Sequence, residues 1–155
     1  MSSQLRASRS DGVGAAAGPG SLFAWQVLSA LFLLAMGGIH LYLALTGVTG
    51  VLGILFILNA VGALALAIAM VVLRGRLLLV ASALSVLFIA GTLLALVLAL
   101  TVGLFGIGET LHGRLVPIAL IVESVGVIVL LVTIALLVRR QGAASGHGLG
   151  TRRHT

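Results

Sequence analysis

The chain has 155 residues, 61% of them hydrophobic and only 8% charged, with a formal net charge of +6. An ordinary soluble domain carries about 25% charged residues. With so few polar side chains a water-exposed globule cannot be covered, and lipid has to take the place of the missing polar surface. All nine basic residues are arginine and there is no cysteine. Disulfides, thiolate metal sites and cysteine nucleophiles are therefore excluded, and arginines that flank apolar runs read as topology signals, with no nucleic-acid partner implied. Abundant Ala, Gly, Val and Arg without lysine is the usage expected of a GC-rich bacterial genome, and hence of a bacterial inner membrane.

The leader, Met1 to Gly20, is rich in Gly, Ser and Ala and lacks an apolar face, so it is expected to be disordered. Crossing a hydrocarbon core of about 30 Å takes about 20 mostly apolar residues in a helix. Within residues 21–140, four segments meet that requirement: Leu22 to Thr46, Val51 to Leu73, Leu77 to Phe105 and Leu115 to Val138. The first is longer than the apolar core of a secretory signal peptide and no small-residue cleavage site follows it, so it reads as a retained span. The third exceeds the length a bilayer needs and is expected to tilt or to project from it. Barrel strands are excluded, because they would be shorter and would alternate polar with apolar residues. Pro117 falls in the first turn of span four, where its missing N–H costs nothing.

Arg6 and Arg9 precede the first span, Arg74 and Arg76 separate the second from the third, and Arg139, Arg140, Arg152 and Arg153 follow the fourth. Only Arg114 falls on the opposite side. Cytoplasmic segments collect arginine, so an even number of spans places both termini in the cytoplasm. The tail, Gln141 to Thr155, is expected to be disordered, with its arginines drawn to anionic lipid headgroups. Its Gly146, Gly148 and Gly150 have neither a strand before them nor a helix after them, so they do not form a phosphate loop.

The two halves resemble each other. Leu43-Ala44-Leu45-Thr46 matches Leu98-Ala99-Leu100-Thr101, and Asn59-Ala60-Val61-Gly62 matches Glu123-Ser124-Val125-Gly126. The expected fold is thus an all-α membrane protein, a four-transmembrane-helix bundle built as two helical hairpins in parallel repeat. Two differences between the halves fall near the outer face. The turn Gly106 to Arg114 is longer than its counterpart Gly47 to Gly50, and His40 stands where span three has Ala95.

Ionisable residues inside a span are costly and usually face the protein interior. Two are present, His40 and Glu123. At 1.5 Å per residue, His40 lies roughly 9 Å below the outer end of its span, and Asn59 and Glu123 about 12 Å below theirs, so all three are expected in one layer. Gly37 and Ala44, Ala63 and Ala67, and Ala119 and Gly126 neighbour them at helical spacing, as close helix contact in lipid requires. Gly91, Ala95 and Ala99 form a further small-residue stripe in span three, with Thr92 beside it as a hydroxyl partner.

Two accounts of the layer follow. In the first, His40, Asn59 and Glu123 hydrogen-bond one another and set the helix register, and the protein is a non-catalytic subunit acting by assembly with itself or with other membrane subunits. In the second, the layer binds a proton, a metal ion, a haem or a small polar ligand. Glu109 and His112 of the outer turn could then close over it, since Glu-x-x-His puts both side chains on one helical face. A haem would take His40 and His112, or His40 alone, and a metal ion would take His40 and His112; otherwise no cofactor is implied. The chain carries no His-Glu-x-x-His, no Gly-x-Ser-x-Gly and no Walker loop, so catalysis is not expected.

Overall fold

The computed structural model describes residues 19–102 and 115–147, and these are helical apart from short turns. The four helices are α1 (Pro19–Leu45), α2 (Gly50–Val72), α3 (Gly75–Thr101) and α4 (Val116–His147). Each is long and apolar enough to cross a membrane. Helix is the form such segments must take in lipid, where every backbone N–H and C=O needs a partner within its own segment.

Glycines and back-bonded side chains interrupt the helices. After α1, the amide and the hydroxyl of Thr46 both donate to the Tyr42 carbonyl, at 3.0 and 2.8 Å. The chain then reverses through Gly47 and Gly50, which hold φ of +140° and +69°. Between α2 and α3, Leu73 and Arg74 are extended and Gly75 takes φ of +59°. The Arg74 guanidinium folds back and donates to the carbonyls of Val71 and Leu73, which the end of α2 leaves without helical partners.

Helix ends differ from the expected spans in three places. α1 starts at Pro19, so residues 19–20, read from sequence as the end of a disordered leader, are helical. α3 stops at Thr101, short of residue 105; its hydroxyl bonds back to the Val97 carbonyl at 2.8 Å, and Gly103 follows in sequence. α4 runs on to His147, so residues 141–147, read from sequence as part of a disordered tail, are helical. No proline interrupts this stretch, and Arg139, Arg140, Gln141, Ala143 and Ala144 are good helix formers. At 32 residues α4 spans about 48 Å, well beyond the hydrocarbon core.

α1 packs against α2 and α4, and α3 packs against α4 and, more sparsely, α2, closing a ring of four. Contacts between residues fix the directions. Ser29 meets Thr133 and Phe32 meets Gly126 across α1 and α4, while Ile89 meets Gly126 across α3 and α4. Gly37 meets Ala63 and His40 meets Phe56 across α1 and α2, and Gly62 meets Phe88 and Met70 meets Ser82 across α2 and α3. Neighbouring helices are therefore antiparallel, and successive helices alternate in direction. One end of the bundle therefore gathers the start of α1, Arg74, Arg76, Arg139 and Arg140.

Small residues set the close approaches. A Cβ on Gly37 would lie 2.8 Å from the Ala63 Cβ, so α1 and α2 touch almost backbone to backbone. Gly126 receives Phe32 and Ile89, and Gly62 receives the ring of Phe88. The stripe expected in span three behaves otherwise: Gly91 is exposed, and a Cβ added there would meet nothing within 4 Å. α3 turns Leu78, Ala81, Ser82, Ser85 and Ile89 inward instead. Gly91 is two residues from Ile89, about 200° round the helix, and so faces away from the bundle. Leu33, Met36, Ile89 and Leu130 fill the middle of the core.

Candidate functional site

The polar residues of the spans organise around Met36. This methionine is 1% exposed and accepts two hydrogen bonds from different directions. Nδ1 of His40, one turn farther along α1, donates to its backbone carbonyl at 2.9 Å. A carbonyl can only accept, so Nδ1 carries a proton. From α3, the Thr92 hydroxyl approaches the Met36 sulfur at 3.3 Å and the Ile89 carbonyl at 2.8 Å.

Glu123 completes this arrangement from α4. Its side chain is 1% exposed. Oε2 of the carboxyl has no partner. Ala119 on one side and Gly126 on the other are buried with it, and this small-residue face lets α4 seat a carboxyl between α1 and α3.

The residues expected in one layer spread over about one helical turn and are not connected. Antiparallel pairing of Phe32 with Gly126 puts Glu123 level with the Met36 region of α1, and His40 lies one turn, about 5.4 Å, farther out. On α2, Phe56 meets His40 while Ala60 and Ala63 meet Gly37, so Asn59 falls between those levels. Within that band the three residues do not bond to one another. His40 sets its ring edge-on to Phe56, with centroids 5.1 Å apart at 81°, and so engages the α1–α2 seam. Asn59 Oδ1 is buried without a partner. His40 satisfies its donor on its own helix, because a carbonyl four residues back is always within reach of a helical side chain. Of the residues read as a connected layer, Thr92 is held by the Met36 sulfur and the Ile89 carbonyl and His40 by the Met36 carbonyl. Glu109 and His112 lie outside the described residues.

Among the described residues, no three His, Asp or Glu side chains gather as metal ligands. A carboxylate, one hydroxyl and a thioether offer too few hard donors for a cation such as calcium or magnesium, which takes six or more oxygens.

The sequence reading passed over a second set of buried polar groups. Gln26, Ser29, Ser82, Ser85 and Thr133 are each no more than 4% exposed. Ser82, Ser85 and Thr133 donate to carbonyls four residues back at 2.8 to 2.9 Å. Ser29 and Thr133 also bridge α1 and α4, with 3.0 Å between their oxygens. The available signal was spacing: Gln26, Ser29, Leu33, Met36 and His40 recur every three or four residues on one face of α1.

The architecture is that of a small multi-pass membrane protein: four apolar antiparallel helices with a carboxyl enclosed in their midst. No family model, curated protein or solved structure matches the chain.

Proposed function

We propose that the protein is a non-catalytic subunit of the bacterial inner membrane that acts by assembly, first of all with a second copy of itself. The observation that supports this reading is the outer face of α3. Leu77, Val80, Leu84, Leu87, Gly91, Leu94 and Leu98 are all exposed there, and they recur at alternating steps of three and four residues. That is the spacing of a left-handed coiled coil. At its centre Gly91 leaves room for a neighbouring backbone, as small residues do at helix–helix contacts in lipid. α3 is also the least enclosed of the four helices and contacts α2 only sparsely.

In this reading the arginine-bearing end lies in the cytoplasm with both termini. Arg76 and Arg139 there sit at the level of anionic headgroups. Other membrane subunits are alternative occupants of the same face.

Cysteine crosslinking in membranes tests the proposal, since the native chain has no cysteine. Leu87→Cys and Leu94→Cys should give a disulfide-linked dimer on mild oxidation. Adding Gly91→Ile should weaken association about tenfold, which is about 1.4 kcal/mol. A chain that stays monomeric in bilayers and forms no crosslink at either position would remove this reading.

A further inference from the structure

We infer that, where two copies meet along α3, their paired Arg76 side chains bind the phosphate of an anionic phospholipid, so that assembly depends on that lipid. The inference rests on the α3 pairing proposed above, and its test separates the two.

It begins from where Arg76 stands. The residue is exposed in the first turn of α3 and precedes Val80 by one turn. Leu87 and Leu94 follow it by 11 and 18 residues, close to three and five whole turns, so all four lie along one line of the helix. Leu78, two residues on and about 200° round the helix, is buried. The guanidinium therefore sits at the end of the apolar face that a second copy would cover.

The bilayer fixes what Arg76 meets there. Two copies inserted the same way run their α3 helices parallel, so equivalent residues face each other across the symmetry axis. Arg76 of one copy falls beside Arg76 of the other, and like charges at a contact oppose it. No carboxylate is at hand to offset them. Glu123 is the only acidic residue among the described ones. Ile89 packs against Gly126 across α3 and α4, which sets Arg76 level with Arg139, 16 residues or about 24 Å along α4 from Glu123. Arg74 commits its donors to the carbonyls of Val71 and Leu73, whereas Arg76 bonds to no other described residue.

An anion from outside the protein meets this need, and lipid headgroups lie at the level of the arginines. A guanidinium grips phosphate oxygens through a planar fork of N–H donors. One phosphodiester between two such forks halves the charge of the pair and ties the copies together. The phosphate of phosphatidylcholine already carries its own ammonium counter-charge, so a headgroup with net negative charge suits the site better.

The test is disulfide crosslinking of the full-length Leu94→Cys protein in liposomes. The crosslinked fraction is compared in phosphatidylcholine alone and in phosphatidylcholine mixed with phosphatidylglycerol. The mixture should favour the dimer about tenfold. Adding Arg76→Gln should abolish the difference by raising the dimer in phosphatidylcholine alone, whereas Arg139→Gln should keep it. Equal crosslinking in the two lipids would overturn the inference and leave the α3 pairing standing, as would a lipid effect that survives Arg76→Gln or is lost in Arg139→Gln. Recovery of the dimer in phosphatidylcholine on adding inorganic phosphate would also overturn it, since the anion would then be free and not lipid-borne. No crosslink in either lipid would remove the pairing and the inference together. Should Arg76→Gln fail to fold, the lipid comparison on the parent protein and on Arg139→Gln decides by itself.

Discussion

Ser29 of α1 and Thr133 of α4 hold their hydroxyl oxygens 3.0 Å apart at a point with no solvent exposure. Thr133 gives its one proton to the Val129 carbonyl at 2.9 Å, so the proton between the two hydroxyls comes from Ser29. This bond joins helices from opposite ends of the chain and, with Phe32 against Gly126, pins the register of α4, and so the height of Glu123, against α1.

Hydrogen bonds between membrane helices average about 0.6 kcal/mol, with a maximum near 1.7. A double-mutant cycle of Ser29→Ala and Thr133→Val is expected to show coupling in that range. Unfolding of the protein in mixed micelles measures it. A coupling indistinguishable from zero would mean that the two hydroxyls are bystanders in α1–α4 packing.

Two adjacent glycines should behave oppositely. Gly37→Ala places a methyl 2.8 Å from the Ala63 Cβ, where neither backbone can easily yield, whereas a methyl on Gly38 meets nothing within 4 Å. Overpacking at Gly37 should destabilise the bundle by about 1–3 kcal/mol. Gly38→Ala should leave the midpoint unchanged or raise it slightly. Equal effects at the two positions would argue against close contact of α1 with α2.

His40 contributes through Phe56 and its own backbone bond. Aromatic pairs add about 0.5–1.5 kcal/mol beyond their buried area, so His40→Leu should fold with a loss in that range. Purified protein should be colourless with no stoichiometric metal. An absorption band in the Soret region that disappears in His40→Leu would instead establish a haem ligand.

Cysteine accessibility reports the sidedness. Thr49 lies in the turn between α1 and α2, and Gly142 lies beyond Arg140; both are exposed. With the arginine end in the cytoplasm, Thr49→Cys should react with a membrane-impermeant maleimide on intact cells, and Gly142→Cys only after permeabilisation. The reverse pattern would invert the orientation.

The number and approximate bounds of the helices were legible because they depend on composition alone. A run of more than 20 apolar residues has no stable alternative to a helix in lipid, and the break at Leu73–Arg74 is marked by charge and followed by Gly75. Burial of Glu123 was legible on the same ground, since its charge is out of place in such a run. Which residues would meet was not. In a span that is apolar all round, hydrophobic periodicity says little about which face turns inward, and α3 accordingly buried Ser82, Ser85 and Ile89 while Gly91 faced out. His40 was read as a partner for Glu123 because both are ionisable and lie at similar depth. Tertiary packing separated them, since the close contact of Gly37 with Ala63 turns that part of α1 toward α2 and Phe56. Lipid selects helices one segment at a time, whereas the pairing of side chains depends on how four such cylinders rotate against one another, and that is decided by the fit of small residues to large ones.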